Sequence, residues 1–295
     1  MILQPARAPE ALPEPDAVRR VVFQGQPGAY SHLACRQVMP DVEALPAESF
    51  EDAFAALREG RVDRAMIPID NSVAGRVADI HHLMPHSGLA IVAEHFQRVN
   101  HHLLAVPGTK IGDIRLIHSH THALNQCRRL FRELGLAPQV HADTAGAAKE
   151  VAAAGRRDQA AIASRLSAEI YGLEILRSDI EDEAHNTTRF VVLARHPIEP
   201  PADAGPVITS FLFRVRNVPA ALYKALGGFA TNGVNMIKLE SYVDASFNQA
   251  QFYAEIVGHP SEVGVGHALD ELAFFSDEIE WLGVYPAHPF RFETA

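Results

Sequence analysis

The chain has 295 residues, of which 47% are hydrophobic and 21% charged, and its formal net charge is -10. This length predicts two or three domains with packed cores. The negative net charge and the lack of a basic cluster argue against nucleic acid as a binding partner. No apolar stretch is long enough to span a bilayer. Only two cysteines occur, Cys35 and Cys127, which favours a reducing compartment over a disulfide framework.

The N-terminal region, residues 1–19, predicts a flexible tail. It is rich in proline and alanine and lacks the charged-then-apolar order of a signal peptide, so we expect a cytoplasmic protein. A first block of alternating elements follows, with a helix capped by Ser49. Its predicted strands are 20–24, 64–69, 90–93 and 102–106.

A second block repeats this alternation, with helices that end near Gly135 and Gly155 and a third that begins after Ser164. Its predicted strands are 114–117, 139–141 and 160–163, followed by a return strand over 188–194. This rhythm predicts α/β architecture, with parallel sheets that carry helices on both faces. Two such lobes around a cleft are expected.

The C-terminal part follows a different pattern. Residues 197–206 contain four prolines and predict a linker. Beyond it the predicted order is βαββαβ, which is the ferredoxin-like unit. We therefore expect a separate small domain over 207–290.

Polar side chains at predicted strand ends are the main functional signal. Thr188 and Arg189 lie on an apolar strand, where a buried guanidinium needs a partner. That partner is either a distant Asp or Glu, or an arriving carboxylate, which would accept two parallel hydrogen bonds. Other polar residues fall at similar junctions, where each is individually more typical of a helix cap: Asn71, Ser72, Ser119, Thr144 and Ser164. Together they predict a pocket for a small organic anion.

Other chemistries have weaker signals. His118, His120 and His122 diverge around a helix start instead of sharing a face, so no metal site is expected. The turn at 25–28 lacks the spacing of a phosphate loop or a dinucleotide fingerprint. Neither a nucleophile elbow nor a typical cysteine nucleophile motif is present.

These motifs, taken in order, resemble the prephenate dehydratase family from about residue 20 to 290. The matching segments are 25–31, 68–72, 118–120, 123–127, 143–145, 161–164, 171–173 and 188–190. The resemblance implies a two-lobed catalytic domain over 20–196, similar to periplasmic binding proteins, with lobes 20–104 plus 188–196 and 105–187. It also implies that 207–290 is an ACT domain, a regulatory module that often binds phenylalanine at a subunit interface.

The resemblance further implies a cytoplasmic, monofunctional homodimer or homotetramer. Its reaction would be the decarboxylating dehydration of prephenate to phenylpyruvate in phenylalanine biosynthesis, without a cofactor. Thr188 would be catalytic, at the departing hydroxyl. The implied substrate-binding residues are Arg189, Asn71, Ser119, Gln126, Ser72, Thr144, Ser164 and Phe190. The implied effector-binding residues are Asn217, Ala221, Leu222, Glu240 and Ser241.

The chain departs from the family pattern at several positions. Asp70 replaces the usual Glu, which shortens the side chain by one methylene. Ala220 replaces a glycine and narrows the freedom of the backbone, and Tyr242-Val243 replaces Arg-Pro. Three alternatives stay open: an arogenate dehydratase, a non-catalytic protein that binds a small anion or amino acid, and a sensor that has lost activity.

Overall fold

The computed structural model describes residues 17–201, 203–243 and 250–292. The first sixteen residues of the predicted tail therefore lie outside the described residues. Within these ranges the fold is α/β, with three separate sheets. None of the described helices combines the length and the apolarity that crossing a bilayer requires.

The secondary structure alternates along most of the chain. The helices are α1 Tyr30–Val38, α2 Phe50–Arg58, α3 Ala78–Leu83, α4 Thr121–Asn125, α5 Arg128–Leu134, α6 Thr144–Ala154, α7 Arg165–Tyr171, α8 Ala221–Thr231 and α9 Val263–Phe275, with 3₁₀ turns at Ile111–Asp113 and Pro289–Arg291. The strands are β1 Arg20–Gln24, β2 Glu43–Ala47, β3 Arg64–Asn71, β4 Gly75–Arg76, β5 Ala90–Arg98, β6 His102–Ala105, β7 Leu116–Ser119, β8 Pro138–Val140, β9 Gln159–Ala163, β10 Glu174–Arg177, β11 Thr187–Ala194, β12 Val207–Val215, β13 Met236–Val243, β14 Ala250–Val257 and β15 Ser276–Pro286.

Contacts divide the chain into two compact units. One comprises residues 18–80 and 95–190, and the other comprises 81–94 and 191–292 among the described residues. The division passes through β5 and β11. The first of these units contains every residue that we predicted to be catalytic or substrate-binding.

The first sheet has the order β2-β1-β3-β11-β5, with β4 paired to β3. β1 runs parallel to β2 and β3, as the alternating pattern predicted. The predicted cap of α2 is confirmed, because the Ser49 side chain accepts the backbone N–H of Asp52. This order brings β11, the return strand, next to β3, so the ends of these two strands lie close together.

The second sheet has the order β10-β6-β9-β7-β8. β7 is parallel to β8 and β9, as predicted. The expectation of an all-parallel sheet is wrong for β6 and β10, which pair in antiparallel fashion with their neighbours. β9 and β10 are joined through α7 and both run antiparallel to β6, so they are parallel to each other, and β6, which arrives from the first sheet, lies between them.

The C-terminal sheet has the order β13-β14-β12-β15 and its strand pairs are antiparallel. This order confirms the predicted ferredoxin-like βαββαβ unit. Buried aromatic residues fill the space between the sheet and its two helices, among them Phe211, Phe213 and Phe229. Ala220, at the start of α8, has a φ of 62°, so a non-glycine residue occupies the left-handed region there.

Candidate active site

The centre of the candidate site is a contact between the end of β3 and the start of β11. The Asn71 amide nitrogen, Nδ2, donates to Thr188 Oγ1 at 2.9 Å and to Asn186 Oδ1 at 2.8 Å. The Asn71 Oδ1 atom accepts the backbone N–H groups of Val73 and Ala74, at 3.0 and 2.7 Å. Because a backbone N–H can only donate, these two contacts fix which end of the Asn71 amide is oxygen.

The hydrogen bonds continue from Asn186 into the interior. Asn186 Nδ2 donates to Gln126 Oε1 at 2.8 Å, and the same oxygen lies 2.9 Å from His101 Nε2. His101 Nδ1 lies 2.8 Å from the Tyr30 hydroxyl. Asn186 and His101 are almost completely buried. The hydroxyl of Thr188 is thus one end of a chain of side chains that reaches Tyr30.

Gln126 can take part in these hydrogen bonds because the predicted single helix before Gly135 is interrupted. The helix is two pieces, α4 and α5, and Gln126 lies between them. The Asp182 carboxylate accepts the backbone N–H groups of Arg128 and Arg129, at 2.8 and 3.1 Å, and so starts a new helix there. The prediction that one helix continues to Gly135 is therefore wrong, although its end is confirmed by a left-handed Gly135.

Burial has the largest effect on the pKa values of His101 and Tyr30, at the interior end of the hydrogen-bond chain. Burial lowers the pKa of His101, while the hydrogen bond to Gln126 and the charge of Glu181 raise it and His102 lowers it. Burial, with smaller contributions from Cys127 and Glu181, holds the pKa of Tyr30 well above its usual range. The Glu181 carboxylate accepts the His101 backbone N–H at 2.8 Å. His101 is therefore a neutral imidazole at neutral pH.

Arg189 has a carboxylate neighbour in the fold. Its guanidinium is buried, and Nη1 lies 3.6 Å from Asp70 Oδ2. Because successive side chains of a strand point to opposite faces, the Asp70–Arg189 pair lies on one face of the sheet and the Asn71–Thr188 pair on the other. Of the two partners that the sequence left open for Arg189, a distant acidic residue is present in the structure.

The remaining predicted substrate-binding residues are spread over several structural roles. The Ser72 hydroxyl donates to the His185 carbonyl at 2.8 Å and accepts the Thr187 N–H at 2.9 Å, so it joins the loop after β3 to the start of β11. Phe190 is buried in the core. Thr144 begins α6, where the Asp143 side chain is the cap.

Ser119 and Ser164 are buried, and both donate to backbone carbonyls. Ser119 Oγ donates to the Ile162 carbonyl at 2.6 Å, and Ser164 Oγ donates to the Gly28 carbonyl at 2.5 Å. Ser164 also caps α7, as predicted. The structure thus brings Asn71, Gln126 and Thr188 together and engages the two buried serines elsewhere.

The sequence did not predict three members of this hydrogen-bond chain as site residues: Asn186, His101 and Tyr30. Asn186 lies two positions before Thr188, just ahead of the motif at 188–190, so its position was a usable signal. His101 had no predicted role, and Tyr30 was included only as part of the segment 25–31. Their roles depend on contacts far apart in sequence, which no local pattern reveals.

A metal site requires several His, Cys, Asp or Glu side chains that converge on one point. Among residues 17–201, 203–243 and 250–292, no group of three His, Cys, Asp or Glu side chains is placed to hold one. The rings of His120 and His122 stack with their centroids 5.1 Å apart, so the expectation that these two side chains diverge is wrong, because His120 lies before the helix as its cap and not on it. His141 Nε2 lies 3.0 Å from the Glu150 carboxylate. Both cysteines are buried thiols, and burial raises the pKa of Cys35 to about 12.

The predicted effector-binding residues lie on two segments of the ferredoxin-like unit. Asn217 is exposed before α8, whereas Ala221 is buried and Leu222 is half-buried within it. On β13, Ser241 is exposed and the Glu240 carboxylate pairs with Lys238 at 2.8 Å. A cavity of 540 Å³ is lined by Leu269 and Trp281 of this unit together with residues outside it, such as Leu89 and His196, and none of its described lining belongs to the effector set.

Comparisons with known proteins place this geometry in context. The family model described as prephenate dehydratase matches residues 21–198. A bifunctional N-acyl-homoserine lactone acylase/prephenate dehydratase of Komagataeibacter europaeus is 53% identical over 92% of this chain and 98% of its own length. Arogenate dehydratase/prephenate dehydratase 1 of Arabidopsis thaliana is 40% identical over 92% of this chain and 73% of its own.

Two solved structures are also similar over most of this chain. One, described as a quorum-quenching acylase, has a TM-score of 0.87 and 53% identity and covers 92% of this chain and 100% of its own. The other is a prephenate dehydratase from Arthrobacter aurescens in complex with L-Phe. It has a TM-score of 0.83 and 30% identity, and covers 91% of this chain and 90% of its own.

Proposed function

Because the chain belongs to the prephenate dehydratase family and is a dehydratase of the hydro-lyase class, we propose that its substrate is prephenate and its product phenylpyruvate. In this reaction the bond between the ring and its carboxylate breaks, and its electron pair makes the ring aromatic. The ring hydroxyl leaves with its bonding pair and takes up a proton, so the other products are carbon dioxide and water. No electron acceptor is needed, because the electrons of the broken bond remain in the product.

One observation carries the proposed role of Thr188. Its Oγ1 accepts the Asn71 N–H at 2.9 Å, and the two backbone contacts of Asn71 fix that direction. The Thr188 O–H group is therefore left to donate. A donor aimed at the leaving oxygen strengthens as negative charge grows there, so it stabilises the transition state more than the ground state.

The threonine hydroxyl is too weak an acid to supply the proton unaided near neutral pH. We propose that it donates a strong hydrogen bond, and that the proton reaches the leaving oxygen from water. The ring carboxylate must leave as neutral carbon dioxide. A tight ion pair with it would stabilise the ground state and slow the reaction.

For that reason we propose that Arg189, if it binds substrate, binds the pyruvyl carboxylate and not the ring carboxylate. Arg189 lies on the sheet face opposite Thr188, which counts against contact of both side chains with one small substrate and favours the competing role. The competing role is a structural ion pair with Asp70, 3.6 Å away. A substrate analogue without the keto-acid side chain distinguishes the two roles. If Arg189 binds that side chain, its removal from the substrate costs less affinity in Arg189→Ala than in wild type. If Arg189 is structural, the two losses of affinity are equal.

The proposed activity is tested by measuring phenylpyruvate release from prephenate by the purified full chain, with arogenate in parallel. We expect turnover of prephenate, much of it retained in Thr188→Ser and reduced by several orders of magnitude in Thr188→Ala. A preference for arogenate would reassign the substrate and keep the chemistry. Absence of turnover with both substrates, in a folded protein, would contradict the proposal.

We propose that the ferredoxin-like unit is an ACT domain that regulates the enzyme and assembles it as a homodimer or homotetramer. Its strand order supports this, and so does the L-Phe complex of the Arthrobacter aurescens relative. Adding L-phenylalanine to the activity assay tests for regulation by a change in rate. Light scattering with and without L-phenylalanine tests the assembly.

A second candidate activity is hydrolysis of N-acyl-homoserine lactones. It is favoured by 53% identity to a relative named for this activity, over nearly the whole length of both chains. Water would add across the amide bond and release a fatty acid and homoserine lactone. If Thr188→Ala abolishes dehydration but leaves acyl release intact, the two activities use different groups. Without acyl release by wild type, this second candidate is rejected.

A further inference from the structure

We propose that His101 is a positioning residue for the dehydration reaction, which it supports by holding Gln126 and, through Asn186 and Asn71, the Thr188 hydroxyl. This proposal rests on the proposed function, because it concerns the same Thr188. His101 itself is buried. Its effect on the reaction is transmitted by hydrogen bonds.

The donor and acceptor of each hydrogen bond from Thr188 to His101 follow from the orientation of the Asn71 amide. Asn71 Oδ1 accepts two backbone N–H groups, so Asn71 Nδ2 faces both Thr188 and Asn186 as a donor. The atom of Asn186 that accepts is therefore its oxygen, and its nitrogen is left to donate to Gln126 at 2.8 Å. Gln126 must then present its own oxygen, Oε1.

The same logic sets the proton on His101. Gln126 Oε1 also lies 2.9 Å from His101 Nε2, and an oxygen acceptor there requires an N–H donor. The neutral ring consequently carries its proton on Nε2, and Nδ1 accepts the Tyr30 hydroxyl at 2.8 Å. A second acceptor for Tyr30, the Asn100 carbonyl, lies 2.7 Å away.

The surroundings of His101 favour this neutral form. Burial lowers its pKa, and the nearby His102 acts in the same direction, while Glu181 and Gln126 oppose them. Tyr30 packs against the ring edge at a centroid distance of 5.6 Å, with Cys127 and Glu181 near its hydroxyl. If the ring took a proton, Nδ1 would become a donor and Tyr30 would turn to Asn100, while the bond to Gln126 persisted. The Nε2–H donor is thus held in both states.

The proposal predicts a specific pattern among substitutions of His101. His101→Phe keeps a ring but loses the donor, and His101→Asn mimics only the Nδ1 position. Both should lower kcat by up to roughly tenfold with little change in KM, because a loss transmitted through Asn71 cannot exceed the loss of the Asn71–Thr188 hydrogen bond itself. His101→Gln can present an N–H near the Nε2 position and should recover most of the rate.

The decisive test is a double-mutant cycle with Asn71→Ala. If His101 acts through the chain, His101→Phe lowers kcat in wild type and has little further effect in Asn71→Ala. If the two losses multiply, or if His101→Gln is as slow as His101→Phe while all variants unfold like wild type, His101 is only structural and the proposal is wrong.

A second readout does not depend on activity. The ¹⁵N shifts of the His101 ring in wild type should show the proton on Nε2, and Gln126→Leu should shift the tautomer population. A ring protonated only on Nδ1 overturns the assignment. If wild type turns over neither substrate, the proposed function fails, and the tautomer measurement still tests the hydrogen-bond chain.

Discussion

The substitution Asn71→Asp tests the direction of the bond at Thr188. It keeps the shape of the side chain but replaces Nδ2, which donates to Thr188 Oγ1 at 2.9 Å and to Asn186 Oδ1 at 2.8 Å, with an oxygen. A carboxylate has no donor, so the Thr188 O–H turns toward it. The leaving oxygen of the substrate then loses its hydrogen bond.

The size of the loss follows from what is removed. Loss of one preorganised donor to a developing negative charge costs about 10²- to 10³-fold in kcat, or ~2.7–4 kcal/mol. In Asn71→Ala the Thr188 O–H remains free to donate and loses only the bond that orients it. One neutral hydrogen bond contributes ~0.5–1.5 kcal/mol, which corresponds to a loss of roughly tenfold or less. Asp should therefore be worse than Ala, although its shape is closer to Asn.

The assay is phenylpyruvate formation at saturating prephenate, which separates kcat from the repulsion that an added charge exerts on an anionic substrate. Asn235→Asp is the matched control, because Asn235 is exposed and the change adds the same charge. A second control repeats Asn71→Asp in a Thr188→Ala background, where little further loss is expected. If Asp is as active as Asn, or if Ala is slower than Asp, the assigned direction is wrong.

Three further predictions concern stability and charge. Ala220→Gly should raise the free energy of unfolding by ~1 kcal/mol in denaturant titration, because Ala220 has a φ of 62°, and an unchanged stability would argue against backbone strain there. Asp70→Asn should lower the unfolding free energy by ~1–3 kcal/mol, because it leaves the buried Arg189 without its carboxylate neighbour, and a rise in KM at constant stability would instead favour substrate binding. Stability should also fall as the pH drops below about 6.5, since the unfolded histidines then bind protons that the folded ones, with pKa values lowered chiefly by burial, do not. The histidines concerned are His32, His101, His102, His118 and His120. A free energy of unfolding that stays constant between pH 7 and about 5 would contradict this prediction.

Local chemistry explains the parts of the fold that the sequence predicted well. Ser49 caps α2 because its hydroxyl reaches a free N–H within one turn, and Gly155 ends α6 because glycine adopts the left-handed conformation freely. The βαββαβ order of the C-terminal unit was readable because its strands and helices differ in hydrophobic period. The substitution at Ala220 was visible too, although its left-handed backbone was not.

The parts that the sequence did not predict depend on long-range contacts. The helix before Gly135 breaks because Asp182, far along the chain, supplies a carboxylate to the new helix start. Asn71 meets Asn186 across 115 positions, and Asn186 meets Gln126 across 60. Hydrogen-bonding side chains at strand ends indicated that a polar site exists. Which of them bond to one another depended on the sheet order, which the local pattern leaves open.

The motif at the start of β11 shows why adjacent residues can have unrelated tasks. Strand alternation sends Thr188 to the face that carries Asn71 and Arg189 to the face that carries Asp70. Phe190, the next residue, is buried in the core. A carboxylate-binding arginine beside a catalytic threonine is therefore not implied by their being neighbours in sequence. Successive positions on a strand therefore face different partners, and the contact with Asn71 at the end of β3 is what leaves the Thr188 O–H to donate in the proposed reaction.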